Sequence, residues 1–163
     1  MKREEAELFV RKGVHFLQSC GLPISEWSID HLCYRVETEE RYFSMKNALE
    51  NEGKLLIESK IGGRMISSFL LNQPFEIAQW TIPVLELPAP KQGAAYPEGY
   101  DHFEVVVPFS LEKLIKNFPD LAWDTSAINK AHNREIRLWI NDWQSVKFHE
   151  KSLADCIAQE LGG

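Results

Sequence analysis

Ile29-Asp30-His31-Leu32-Cys33-Tyr34-Arg35-Val36 decides how this chain is read, because Tyr100-Asp101-His102-Phe103-Glu104-Val105-Val106-Val107 repeats its Asp-His opening 71 residues later. Both stretches alternate with the two-residue period of a β-strand, whose successive side chains point to opposite faces. In the first, His31, Cys33 and Arg35 share one face, and Leu32, Tyr34 and Val36 the other. In the second, His102 and Glu104 oppose Phe103, Val105 and Val107. Each strand therefore turns an apolar face to a core and an imidazole to the far side. Two such strands related by a pseudo-twofold bring two imidazoles into one cleft, a geometry suited to a metal ion. The same parity puts Asp30 and Asp101 on the helix-facing side, where they cap turns or fix backbone groups.

Around these strands the pattern predicts a helix over 3–20, closed by Gly21 and Pro23, and a helix from Thr38 through Leu49 that stops at Gly53. Strands are expected at 54–59 and 65–70, joined by a hairpin at Gly62-Gly63, and at 78–87, where Pro83 implies an edge position or a bulge. Residues 88–99, rich in Pro, Gly and Ala, form a connector. In the second half, Ser110 caps a helix over 111–118, a weak strand falls at 121–125, and strands follow at 136–140 and 145–149. Ser152 caps a last helix over 153–161. The expectation is an α+β fold of two βαβββ modules, one at 27–88 and one at 100–150, with extra N-terminal and C-terminal helices, all within a single domain over 1–163.

A net charge of −6 and a pI near 5.4 leave no basic stripe to neutralise phosphates, so neither nucleic acid nor an anionic membrane surface is an expected partner. Three cysteines without regular spacing argue against a disulfide framework or a zinc ribbon. The charged start Met1-Lys2-Arg3-Glu4-Glu5 is not a signal core, and no run reaches the roughly 20 apolar residues of a membrane span. The chain reads as cytoplasmic. Gly62-Gly63 is not a phosphate loop, and no H-E-x-x-H occurs.

If the two halves match, their first and last strands offer His31, Glu86, His102 and His149 to a common cleft. Three imidazoles and a carboxylate suit Zn²⁺, Fe²⁺, Ni²⁺, Co²⁺ or Mn²⁺. Glu104 reads as a catalytic base, a fifth ligand, or an ion-pair partner of Lys147. Arg35 and Lys147 read as binders of an anionic oxygen of a small-molecule ligand, or as charges that neutralise Glu86 and Glu104. Glu86 itself is either a ligand or the partner of Arg35 or Arg64. Cys33 reads as a small buried hydrophobe, His15 as a helix surface or core-edge group and His132 as a loop residue.

The Asp-His strand starts, the paired βαβββ halves and the ligand order resemble the vicinal-oxygen-chelate superfamily, which includes glyoxalase I, epimerases, extradiol dioxygenases and bleomycin-resistance proteins. More narrowly the chain resembles the bacterial YecM family. The likeness is carried by Asp30-His31 with Arg35, Gly63-Arg64, Trp80 through Glu86-Leu87-Pro88 with Pro90, and Tyr96-Pro97 with Gly99. His102-Phe103-Glu104 and Lys147-Phe148-His149 complete it. In the wider superfamily a carboxylate ends the last strand; here Lys147 takes that register and His149 follows two residues on. The resemblance implies a glyoxalase-like fold and a metal-binding protein. It implies isomerase or epimerase chemistry on a small oxygen-rich molecule, or oxygenase chemistry with iron or manganese. The alternative is a non-catalytic module that sequesters a small molecule without metal.

Overall fold

A computed structural model describes residues 1–95 and 97–162; Tyr96, one carrier of the resemblance, lies outside the described residues. Helix α1 (Arg3–Ser19) buries Ala6, Phe9, Val10, Gly13, Val14 and Leu17, a stripe at helical spacing. Leu8, next to that stripe, points into solvent. Strand β1 (Ser28–Arg35) leads to helix α2 (Glu39–Glu52), capped by Thr38, whose hydroxyl accepts the Arg41 N–H at 3.0 Å. Strands β2 (Gly53–Ile61) and β3 (Arg64–Ile77) join at Gly62-Gly63, both in the left-handed region that favours glycine. Strand β4 (Trp80–Pro88) starts two residues later than expected, because Ala78 takes a positive φ of 53° in the preceding turn.

Strand β5 (Gly99–Val106) opens the second module. Helix α3 (Leu111–Asn117) is capped by Ser110, strands β6 (Ile136–Trp139) and β7 (Ser145–His149) follow, and Ser152 caps helix α4 (Leu153–Gly162). The strand expected at 121–125 is reduced to one bridge, Asp124 to Arg137. The Asp124 carboxylate accepts from the Ser126 N–H and hydroxyl and from the Trp139 indole. Such local side-chain bonds compete with a continuing ladder.

Among the described residues, seven strands form one sheet in the order β2-β3-β4-β1-β5-β7-β6. The central pair, β1 and β5, is antiparallel, and each is flanked by the last strand of its own module, running parallel to it. This is the two-module, glyoxalase-like α+β arrangement, with α1 and α4 added at its ends. The register carries the repeat: His31 faces Glu104 and Cys33 faces His102, and a shift of 71 residues turns one pair into the other. Leu32 faces Phe103, which maps onto itself, so the pseudo-twofold passes through that pair.

The same register corrects the reading of Asp30 and Asp101. Ile29 pairs with Val105 and His31 with Glu104, so Asp30 is an extra residue in β1; Asp101 is the extra residue in β5. A bulge turns two consecutive side chains toward one side. Both aspartates therefore stand beside their histidines and not on the helix face. Pro83 also marks an irregularity: β4 is an interior strand, and its pairing with β3 jumps between Leu70–Val84 and Phe75–Ile82. A residue without an N–H is tolerated where the ladder breaks.

Helix α1 lies against β3 and β5, and α2 against β2, β3 and β4. The apolar face beneath them holds Leu32, Phe69, Leu85, Leu87, Phe103, Val105, Val146 and Phe148, each fully buried. Burying such a side chain contributes about 1.5–3 kcal/mol, which fixes the sheet and leaves its other face for polar groups. No helix among the described residues is long and apolar enough to cross a membrane.

Candidate metal centre

His31 and His102 come together on the polar face, their ring centroids 6.4 Å apart and their planes at 73°. Each is oriented by its own bulge residue: His31 Nδ1 bonds Asp30 Oδ2 at 2.8 Å, and His102 Nδ1 bonds Asp101 Oδ2 at 2.7 Å. A carboxylate on Nδ1 makes that nitrogen the donor and aims the Nε2 lone pair inward, the tautomer that metal-binding histidines use. Glu104 lies between the rings, its Oε1 3.2 Å from both His31 Nε2 and His102 Nε2, and its Oε2 2.6 Å from His149 Nε2. Glu86 approaches from β4, 3.9 Å from His31 Nε2. The Nε2 atoms of His31, His102 and His149 are buried and make no aligned hydrogen bond among the described residues. A ring of buried imidazole nitrogens around carboxylates fits a divalent cation, which would satisfy all of them.

Electrostatics point the same way. Burial alone disfavours a charged imidazole, yet Glu104, Asp30 and Glu86 outweigh it and raise the His31 pKa well above 6.5. His149 is raised for the same reason, by Glu104 and Glu135 against burial. Burial favours a neutral Glu104, but His149, His31 and His102 overcome it and hold the carboxyl well below 4.5. The negative field that retains protons on these rings is the field that attracts a metal ion. Three groups each bring ligand atoms within 4.8 Å of one another: His31 with Glu86 and His102; Cys33 with Asp101 and the same His102; and, sharing no residue with these, Glu104 with Glu135 and His149.

All the expected site residues lie on this face, but the partners of the two cations differ from those expected. Arg35 Nη1 sits 3.1 Å from Asp101 Oδ1, and its guanidinium lies 5.2 Å from the Trp143 ring centroid. It thereby holds the carboxylate that orients His102. Arg64 donates to the Ala89 carbonyl. Lys147 is the register partner of Glu104, yet its ammonium lies 3.2 Å from Glu135 Oε2. Burial works against that ammonium, but Glu104, Glu135 and Glu86 raise its pKa above the ordinary lysine value. Lys147 occupies the register that Glu86 holds in the first module: Cys33 pairs with Glu86, and Glu104 with Lys147. His149 nevertheless reaches the cluster. His15 and His132 are exposed and Cys33 is buried.

Glu135 is the residue that the sequence reading passed over. It is buried, with Oε2 4.0 Å from His149 Nε2. Antiparallel pairing of Ile136 with Phe148 carries Glu135 to the level of His149. The alternation Glu135-Ile136-Arg137-Leu138 already held that signal. Starting the strand at the first apolar residue hid it.

The family model described as "YecM protein" matches residues 2–160. The chain belongs to the YecM family. It is 31% identical over 157 residues to Protein YecM of Escherichia coli K12, covering 86% of this chain and 82% of that protein. It is 32% identical over 102 residues to an uncharacterized protein of Haemophilus influenzae, covering 63% and 53% respectively. A solved structure described as "Structural Genomics, Protein EC4020" superposes with a TM-score of 0.77 at 26% identity, over 96% of this chain and 91% of that one. The fold extends to a "putative dioxygenase" from Bacillus subtilis, with a TM-score of 0.50 at 9% identity over 77% of this chain and 41% of that one. The YecM chain thus shares a dioxygenase-like fold, and its polar sheet face carries the His and Glu cluster.

Proposed function

We propose that this YecM protein binds a divalent transition metal through His31, His102, Glu86 and His149, with Glu104 beside them as the base, and uses it on a small oxygen-rich molecule. The observation that carries the reading is the convergence of three buried Nε2 atoms without aligned hydrogen-bond partners, two of them fixed by a carboxylate on Nδ1. Three imidazoles and a carboxylate leave a position open for a ligand on a five- or six-coordinate ion. When bound, the ion would polarise a substrate carbonyl and acidify the neighbouring C–H. Glu104, held ionised, accepts a proton only from a carbon so acidified, which suits isomerase or epimerase chemistry. Asp30 and Asp101 keep the imidazoles in register, and Arg35 steadies Asp101.

A metal-free reading rests on a separate observation. With the imidazoles protonated, the contacts of Glu104 with His31, His102 and His149 close as an ion-pair cluster, as a sequestering module would use. Metal analysis of untagged protein purified without chelator decides between the two. The proposal expects close to one equivalent of zinc, iron, nickel, cobalt or manganese, lost on substituting His31 and His102 by alanine. Metal-free protein that takes up none of these ions on titration would overturn it.

A further inference from the structure

We infer that Cys33 is a further ligand of this centre and makes it selective for thiophilic ions, zinc, cobalt and nickel before manganese; the inference rests on the metal centre proposed above. The register sets Cys33 among the ligands. It pairs with Glu86 of β4 on one side and with His102 of β5 on the other, and His31 precedes it by two residues on the same face of a regular stretch of β1. Three of the four proposed ligands therefore surround its position on the sheet. Its sulfur, a carboxylate oxygen of Asp101 and a ring nitrogen of His102 lie within 4.8 Å of one another, a spacing that one ion can bridge. The Nε2 atoms of His31 and His102 are buried beside it without aligned hydrogen-bond partners. The thiol thus stands among donors that a cation would satisfy.

The repeat strengthens the assignment. A shift of 71 residues equates Cys33 with Glu104, whose Oε1 lies 3.2 Å from both His31 Nε2 and His102 Nε2. A donor in one module is matched by a donor in the other. The surroundings of Cys33 also differ from those of an inert thiol. A buried cysteine that serves only as a small hydrophobe packs among apolar residues. Cys33 is buried, yet it is not part of the continuous apolar core, which takes its neighbours Leu32 and Tyr34 on the opposite face. Imidazole and carboxylate donors alone discriminate little among zinc, iron, nickel, cobalt and manganese beyond their common order of affinity. A thiolate is a soft donor and favours zinc, cobalt and nickel over manganese, which prefers oxygen. On ligation the sulfur releases its proton to solvent and binds as thiolate.

The test adds Co²⁺ to metal-free, fully reduced protein under nitrogen and records the absorption spectrum. Visible d–d bands report the occupied centre, and a thiolate-to-cobalt charge-transfer band in the near ultraviolet reports sulfur on the ion. Both should appear in the wild-type protein and in Cys20→Ser with Cys156→Ser, which leaves Cys33 as the one thiol. These two spectra decide the matter even if a Cys33 variant does not fold. Cys33→Ser should lose the charge-transfer band and keep the d–d bands. Its zinc affinity, read by competition with a chromogenic chelator, should fall at least about tenfold, while its manganese affinity, read by electron paramagnetic resonance, changes less than about twofold. Bands of d–d type without charge transfer in the wild type, a charge-transfer band that vanishes with Cys20 and Cys156 or survives Cys33→Ser, or equal losses for zinc and manganese would overturn the inference and leave the metal centre standing. Protein that binds no cobalt, zinc or other transition ion would remove the centre and the inference with it.

Discussion

Replacing Gly13 by alanine should destabilise the protein, although alanine is the better helix former. Gly13 lies in α1 over the middle of β5, and a Cβ there would fall 2.2 Å from Phe103 Cε1 and 2.8 Å from its Cζ. Carbon atoms in contact prefer about 3.5–4.0 Å, so ring or helix must move. Phe103 is fully buried and packs edge-on against Phe9 at 5.8 Å between centroids, so the ring has little room to yield. Overpacking costs about 1–3 kcal/mol, against about 1 kcal/mol gained in helix propensity. The net expectation is a loss of up to about 2 kcal/mol, or a fall in Tm of up to about 8 °C for a chain of this size. Phe103 stands between His102 and Glu104, so the same shift should also weaken metal binding. Urea and thermal unfolding of Gly13→Ala, Phe103→Leu and the double variant form a cycle. The trimmed ring should relieve the clash, leaving the double variant more stable than the sum of the single losses. A stabilising Gly13→Ala, or strict additivity in the cycle, would refute the packing argument.

Metal at a hundredfold excess over its dissociation constant should add about 2.7 kcal/mol to stability, and a melting increment that survives His31→Ala with His102→Ala would move the site elsewhere. Asp30→Asn and Asp101→Asn should each lower metal affinity about 10–100-fold, read by competition with a chromogenic chelator; unchanged affinity would mean the aspartates do not orient the rings. In the metal-free protein, His31 and His149 have pKa values raised above 6.5, so their contribution is complete below that pH and is lost as pH rises through the raised values. Glu104 is depressed below 4.5, so its contribution is present above that pH and lost as pH falls through the depressed value. Unfolding of metal-free protein should therefore show most cluster-derived stability between about 4.5 and 6.5, and added metal, which replaces protons, should shift that optimum upward; an optimum that ignores metal would contradict the shared-site picture.

The matching order of elements in the two halves, each opened by an Asp-His strand, was enough to read the fold, because alternation with period 2 separates a core face from a polar one wherever the strand is regular. The caps at Thr38, Ser110 and Ser152 were legible for a local reason, since each hydroxyl serves a backbone N–H within its own first turn. What escaped depends on pairing between distant segments. The aspartates were assigned to the wrong face because a bulge is a property of two strands in register, and one strand's sequence does not reveal it. Glu135 escaped because its place follows from pairing with β7. The expected strand at 121–125 lost to the side-chain bonds of Asp124, a competition that hydrophobic pattern does not register. Which cation meets which anion was also hidden: Arg35 and Lys147 reach the cleft, but their partners, Asp101 and Glu135, emerge only when the strands are laid side by side.

The pseudo-twofold through Leu32 and Phe103 has a stereochemical consequence. A perfectly symmetric cradle presents the same surroundings to either end of a guest and cannot tell a molecule from the same molecule turned around. Here the repeat equates Cys33 with Glu104 and Glu86 with Lys147, so a thiol opposes a carboxylate and an acid opposes a base across the axis. The histidines keep the symmetry while their neighbours break it. A duplicated scaffold thereby acquires handedness: a guest held on the axis meets two different flanks, so its two prochiral faces become distinguishable.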